Sequence, residues 1–270
     1  MIGRPIRLVV TDVDGTLVRH DRTLAPSTVA AAGRLRAAGV KLALVSSRPP
    51  RGLDVLLGPL GIDTPRAGFN GGVIEDEAGA VLEERTIPDA ATRAAVAFLE
   101  DAGVDVWVFA RDQWLLKRPD GAYVPREQLS IRMGFRVVDD FTPHLHDVHK
   151  VMGSATDHDR IGALEAALHA RIGTAAAVHR SQSYYIDVTH PEANKGSAAL
   201  ALARLLGIAP EDMACLGDMP NDLPMFAVAG LAIAMGNAPE AVRARAHAVT
   251  AGNDEDGWAA AIDRFVLPRR

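Results

Sequence analysis

The feature that most constrains this chain is an apolar run that ends in two acids. In residues 7–18, RLVVTDVDGTLV, the run Leu8-Val9-Val10 leads into Asp12 and Asp14 with a single residue between them. A short, β-branched, uncharged run reads as a strand buried on both faces. Such strands belong to parallel sheets covered by helices. Carboxylates just past the strand stand on the edge where open α/β sheets bind ligands. At i and i+2 they repel one another unless a cation or a proton intervenes.

The pattern around that strand repeats. APSTVAAAGRLRAAG predicts a helix opened by Pro26 and Ser27 and closed by Gly39; residues 40–47 predict a second buried strand, and PRGLDVLLGPLG a second helix. FNGGVIEDEAGAVLEERTI, residues 69–87, reads as a hairpin with its turn near 76–79. From Pro88 the style changes: one helix, the strands VDVWVFAR and QWLLKR, the strand HKVMGSA, the helix DHDRIGALEAALHARIG, then two strands in AAAVHRSQSYYIDVT. After Pro191 apolar strands and helices alternate again, in NKGSAALALARLLG, DMACLGD, NDLPMFAVAG, LAIAMGN, APEAVRARAH, HAVT and DEDGWAAAIDRFV. The expected fold class is α/β. A parallel-sheet core is assembled from residues 1–84 and 189–270. An α+β cap over an antiparallel sheet, residues 85–188, is inserted above the carboxyl ends of the core strands.

Bulk properties exclude several classes. A chain of 270 residues is long enough for a sizeable core. A net charge of −5 without a basic block argues against nucleic acid as a partner. The one cysteine, Cys215, rules out an internal disulfide framework and is compatible with a reducing cytoplasm; inside an apolar strand it reads as an inert core residue. Apolar stretches fall short of a membrane span, and the run after Arg4 and Arg7 meets Asp12 too soon for a signal-peptide core. The expectation is a cytoplasmic protein, monomeric or a small homo-oligomer, with no membrane partner.

Four segments put polar groups just past strand ends or at a helix start: Asp12 and Asp14 with Thr16; Ser46 with Ser47-Arg48; Lys195; and Asp218 with Asn221-Asp222. Three carboxylates drawn together call for a hard cation, and Mg²⁺ suits one or two carboxylates plus phosphate and water. Ser46 and Lys195 would offer a hydroxyl and a point charge to a phosphate. Glycines 15, 196 and 217 would let backbone N–H groups approach it. Such an assembly stabilises charge on a transferring phosphoryl group.

In order, DVDGT (12–16), Ser46 after an apolar strand, NKG (194–196) and GDMPND (217–222) resemble the four motifs of the haloacid dehalogenase-like hydrolase superfamily. FNGGVI, YYIDVTHPEANKGSAALALARLLGI, GDMPNDLPMFAVAGLAIAMGNAPEAVR and NDEDGWAAAI are similar to its Cof-type (type IIB cap) sugar-phosphate phosphatases. The likeness is strong over 1–85 and 185–270 and weak in the cap. It implies a Rossmann-like three-layer core and a Mg²⁺-dependent phosphomonoester hydrolase acting on a small phosphorylated metabolite, a sugar or polyol phosphate. By resemblance Asp12 is the nucleophile that becomes an aspartyl-phosphate, and Asp14 the general acid and then base. Asp12, Asp218 and the backbone carbonyl of Asp14 would bind Mg²⁺, with Asn221 and Asp222 behind them. Ser46 and Lys195 would bind the phosphoryl oxygens. Two departures from the motifs are Ser47, where glycine is common, and Pro220, which removes one N–H.

Other residues carry two readings each. Asn70 either makes the turn its NGG context suggests or touches the phosphate. His144, His146 and His149 with Asp147 suggest zinc, but alternating loop histidines are more often solvated. Arg111, Trp114 and Tyr184 are either substrate contacts or ordinary sheet residues. Two other functions use the same groups: a phosphomutase or phosphotransferase, and a non-catalytic ligand-binding regulator.

Overall fold

The computed structural model describes residues 4–110 and 112–269. The chain opens with β1 (Leu8–Thr11), α1 (Pro26–Ala37), β2 (Lys41–Leu44), α2 (Asp54–Leu60), β3 (Arg66–Gly68), β4 (Val73–Glu75) and β5 (Val81–Glu84). The cap follows with α3 (Asp89–Asp101), β6 (Asp105–Ala110), β7 (Gln113–Leu116), α4 (Val124–Ile131), β8 (Arg136–Val137), β9 (Val148–Ser154), α5 (His158–Ile172), β10 (Ala177–Gln182) and β11 (Tyr185–Thr189). The core resumes with α6 (Lys195–Leu205), β12 (Met213–Gly217), α7 (Leu223–Val228), β13 (Leu231–Ala234), α8 (Glu240–Arg243), β14 (Ala248–Val249) and α9 (Gly257–Ala261).

The core sheet is parallel, in the order β14-β13-β12-β1-β2. Its alternating side chains feed two apolar layers. Val9, Leu42, Leu44 and Leu216 pack with Leu35 of α1 and Trp258 of α9. Leu8, Val10, Ala43 and Cys215 pack with Leu202 of α6 and Met225 of α7. Burial on both faces is why these strands are uniformly apolar. Truncating a buried leucine here to alanine should cost about 2–5 kcal/mol.

Register decides what the sheet edge displays. Thr11 pairs with Leu44 on one side and Leu216 on the other. The residues just beyond are Asp12, Val45-Ser46 and Gly217-Asp218, so all three motifs leave the sheet side by side. The chain runs from β1 to β2 in one direction and places β12 on the other side, so Asp12 lies at the topological switch point.

The cap sheet runs β10-β11-β9-β6-β7-β8; it is antiparallel except for the β7–β8 pair, which is parallel. One face packs on α3 and α5 through Leu99, Val108, Val151, Leu168 and Ile186. The other face, with Trp107, Phe109, Trp114, Met152 and Tyr185, meets α4 and reaches Phe69 and Val73 of the core. The expected hairpin of β4 and β5 is present and gains β3 as a third strand, bridged to the core sheet through Val45 and Ala67. β3, α4 and β8 are elements that the sequence patterning did not announce.

Candidate active site

Asp12 is fixed from behind. Thr11 Oγ1 donates to the Asp12 carbonyl at 2.8 Å and accepts from Trp258 Nε1 at 3.0 Å. In front, Lys195 Nζ donates to Asp12 Oδ1 and to Asp222 Oδ1, both at 2.6 Å. Lys195 reaches this place because Asn194 caps α6, accepting from the N–H groups of Gly196 and Ser197 at 3.0 Å. A lysine in the first turn of a helix opposes the helix dipole; the two carboxylates offset that cost. Lys195 is only 2% exposed.

Asp218 completes the cluster. Thr16 Oγ1 donates to its Oδ1 at 3.0 Å and Asn237 Nδ2 to its Oδ2 at 3.2 Å. Asp222 Oδ2 accepts from the N–H groups of Asp218 and Met219 at 2.8 Å, which shapes the 217–222 loop despite Pro220. Carboxylate oxygens of Asp12, Asp218 and Asp222 lie within 4.8 Å of one another. Asp222, expected behind the metal ligands, therefore shares the cluster itself. The glycines serve these acids: a Cβ on Gly15 or Gly217 would run into the carboxyl of Asp218 or Asp222, and Gly15 also has φ +85°.

One ammonium facing three carboxylates leaves the cluster short of positive charge. Burial, with Asp222 adding to it and Lys195 opposing it, pushes Asp12 up to about 6. Burial and the charges of Asp12 and Asp222 push Asp218 up to about 8. Lys195 shifts upward: burial opposes this, but Asp12 and Asp222 outweigh it. An all-oxygen, buried, electron-rich group of this kind fits a hard divalent cation.

Asp14 belongs to a different environment. Its carboxylate turns to Arg48, whose Nε and Nη2 donate to Oδ2 and Oδ1 at 2.7 and 2.6 Å, and it also pairs with Arg22. Burial alone would raise its pKa, but the two guanidiniums more than offset this and hold it below the ordinary value. Arg48 is further anchored by donating to the Gly52 carbonyl at 3.2 Å.

Ser46 is buried, and its Oγ accepts from the Arg48 N–H at 3.1 Å. Asn70 makes the turn that its NGG context suggests. It adopts a left-handed turn at φ 58°, and its side chain faces the site. Its Nδ2 lies 3.1 Å from His179 Nε2 of the cap, and its Oδ1 accepts from Asn221 Nδ2 at 3.3 Å. Asn70, Lys195, Asn221 and His179 line one cleft of about 430 Å³. Ser47 has no left-handed backbone, so replacing glycine there imposes no strain.

Four contributors went unassigned in the sequence. Arg48 was visible in the SSR stretch without a role. His179 and Asn237 carried no signal, because each meets the site only through tertiary return, and Arg22, eight residues from Asp14, sits in a loop whose pattern gave it no role. The histidine group does not converge: His146 pairs with Asp89 at 2.6 Å, and His149 with Glu84 at 2.7 Å. Trp114 is a buried sheet residue, whereas Tyr184, expected in the sheet, stands in the turn between β10 and β11, stacked on Tyr123 at 4.3 Å. Arg111 lies outside the described residues. Cys215 is buried, and its thiol is pushed up by burial. Among the described residues no helix is long and apolar enough to cross a membrane.

Comparison with known proteins places the chain in a family. The family model for haloacid dehalogenase-like hydrolases matches residues 9–262. The chain is 28% identical to the pyridoxal phosphate phosphatase of Escherichia coli, over 94% of this chain and 96% of that one. It is 31% identical to the HMP-PP phosphatase of Cronobacter sakazakii, over 86% and 85%. A solved HAD subclass IIB sugar phosphatase superposes with a TM-score of 0.85 at 26% identity, covering 96% of this chain and 98% of the other. The chain belongs to the haloacid dehalogenase-like hydrolase family. Within that family it is a phosphoric monoester hydrolase with a Cof-type, subclass IIB organisation.

Proposed function

We propose that the protein hydrolyses a sugar or polyol phosphate with Mg²⁺, through an aspartyl-phosphate on Asp12. The observation that carries this reading is the split between neighbours. Asp12 joins the Asp218–Asp222–Lys195 cluster, while Asp14 is held apart by arginines. This split supports a division of roles, one acid for phosphorus and the other for protons. The sugar phosphatase with the same fold supports the substrate class.

Asp12 and Asp218 would hold Mg²⁺ with the backbone carbonyl of Asp14, and Asp222 would orient the loop behind them. Bound there, the cation neutralises charge on the phosphoryl oxygens. Lys195, Ser46 and Asn70 would bind those oxygens, with Asn221 steadying Asn70. Asp12 attacks phosphorus, an acyl phosphate forms on its carboxylate, and the bond to the leaving oxygen breaks. Asp14 delivers its proton to that oxygen. The arginines favour ionised Asp14, whereas an arriving phosphate dianion favours the protonated form needed for donation. Water then attacks the phosphorus of this acyl phosphate, Asp14 takes the proton, the bond from phosphorus to Asp12 breaks, and phosphate leaves with Asp12 regenerated. The cap, joined to the core through residues 85–88 and 190–194, would close over this step and exclude bulk water.

The test is release of inorganic phosphate from a panel of sugar phosphates, with Mg²⁺ and again with EDTA. Mg²⁺-dependent release is expected. Activity retained in EDTA would overturn the metal assignment, and conversion to an isomeric sugar phosphate without release would favour a mutase.

A further inference from the structure

The turn that carries Asn70 is a strained point beside the site. Phe69 and Asn70 both take left-handed backbones, at φ 51° and 58°. Asparagine tolerates that region, but a bulky residue such as phenylalanine is an outlier there. Strain of this kind persists only where the surroundings hold it in place.

The grip on Phe69 comes from the cap. Phe69 belongs to the core segment and is 1% exposed. Its ring stacks on His149 of β9, with centroids 5.5 Å apart and planes 7° apart. It also meets Phe109 of β6 at 5.7 Å. His149 is fixed in turn by Glu84, 2.7 Å away at the end of β5, just before the linker at 85–88. The aromatic contact therefore bridges core and cap at their joint.

The backbone of the same turn supports the groups assigned to the phosphoryl oxygens. The Asn70 N–H donates to the Ser46 carbonyl and the Phe69 N–H to the Arg48 carbonyl, both at 2.8 Å. Gly71 lies against the start of α6, beside Lys195: a Cβ on it would come within 2.8 Å of the Ala198 methyl and 3.1 Å of the Asn194 carbonyl. The Gly72 carbonyl accepts from the Arg85 N–H of the linker at 2.7 Å. One turn thus touches the Ser46 loop, the Lys195 helix and the linker. With the cap lifted, Phe69 would lose both ring partners. Relaxation of its backbone would then turn the two N–H groups away from residues 46 and 48.

We infer that Phe69 is a positioning residue through which the docked cap sets Ser46 and Asn70 for the phosphoryl group. The inference rests on the phosphatase reading and is independent of the leaving group. Its test uses acetyl phosphate, with its small leaving group, and inorganic phosphate, which has none. With Mg²⁺ present, kcat and KM for acetyl phosphate and the inhibition constant of inorganic phosphate are measured. The proteins are the parent, Phe69→Gly, Phe69→Leu, Phe109→Leu and the double variant Phe69→Gly/Phe109→Leu, each checked for a cooperative thermal transition.

Phe69→Gly takes the turn without strain but gives the cap nothing to hold, whereas Phe69→Leu keeps the strain and an apolar side chain. Phosphate should bind about tenfold more weakly to Phe69→Gly and about threefold more weakly to Phe69→Leu, the worth of one or two hydrogen bonds. kcat/KM for acetyl phosphate should fall in step. Phe109→Leu, made entirely within the cap, should weaken phosphate about threefold alone and add nothing to Phe69→Gly, because both act through one contact. If Phe69→Gly does not fold, the single cap variant Phe109→Leu decides the question. A turn that is only structural gives the opposite pattern: glycine relieves its strain and binds phosphate as the parent does, and Phe109→Leu lowers Tm without moving the inhibition constant. Either of those results would overturn the inference and leave the phosphatase reading standing. A parent that neither hydrolyses acetyl phosphate nor binds phosphate would sink both.

Discussion

At the carboxyl edge of the core sheet the charged groups hold one another. Lys195 spans Asp12 and Asp222, Thr16 and Asn237 fix Asp218, and two arginines fix Asp14. The cap face above is held by fewer contacts. Along β11, Tyr185 sits beside Glu127, Asp187 pairs with Lys150 at 3.1 Å, and Thr189 keeps a buried hydroxyl without a hydrogen-bond partner. On the proposed reading the core supplies chemistry common to every ester, and selection among esters falls to the cap.

Four changes test that contrast, from the largest expected effect to the smallest. Asp12→Asn keeps an oxygen for Lys195 but removes the nucleophile; phosphate release should fall about 10⁴-fold or more. A rate within tenfold of the parent would break the nucleophile assignment. Asp14→Asn should lower kcat on alkyl phosphates by about 10²–10⁴-fold. The loss on acetyl phosphate should be smaller, because its leaving carboxylate needs no proton; equal losses would refute the acid role. His179→Ala removes the cap's contact with Asn70, so KM should rise by about fivefold, roughly the worth of one hydrogen bond, with kcat little changed. A fall in kcat without a change in KM would argue that His179 acts on the chemistry.

The smallest effect is on stability. In the metal-free protein, burial holds Asp12 near 6 and Asp218 near 8, against an ordinary 3.8. Between about pH 4 and pH 8 the unfolded chain has released protons that the fold still binds, so stability falls as pH rises through this window. Asp218→Asn removes the larger contributor. In EDTA at pH 8 its Tm should exceed the parent's by about 2–4 °C, and the gap should close toward pH 4. A parent whose metal-free Tm rises from pH 4 to pH 8 would contradict the crowded-carboxylate account.

Much of this site was legible because its signals are local. Asp12, Ser46 and Asp218 each follow an apolar strand within two residues, and Lys195 follows a helix cap. α4 was not legible: Pro125 stands in its first turn, Leu129 is 73% exposed, and the helix is held by Ile131 packing on Gly52. β8 has two residues and exists through its pairing with β7. Arg22 takes a left-handed backbone at φ 69° in the loop after Asp14, a conformation that its residue type does not announce.

The sequence by itself determined the buried parallel strands, the order of the motifs and the acids that leave the sheet together. Those features are written in hydrophobic period and in residues adjacent along the chain. Only the tertiary structure decided that Asp12 and Asp14 part company, one toward Lys195 and the other toward Arg48 and Arg22. It also decided which cap residues look down on them. Charge partners are set by distance in space, and a chain that returns from residue 195 to residue 12, or from residue 150 to the side of residue 14, leaves no trace of that return in its local pattern.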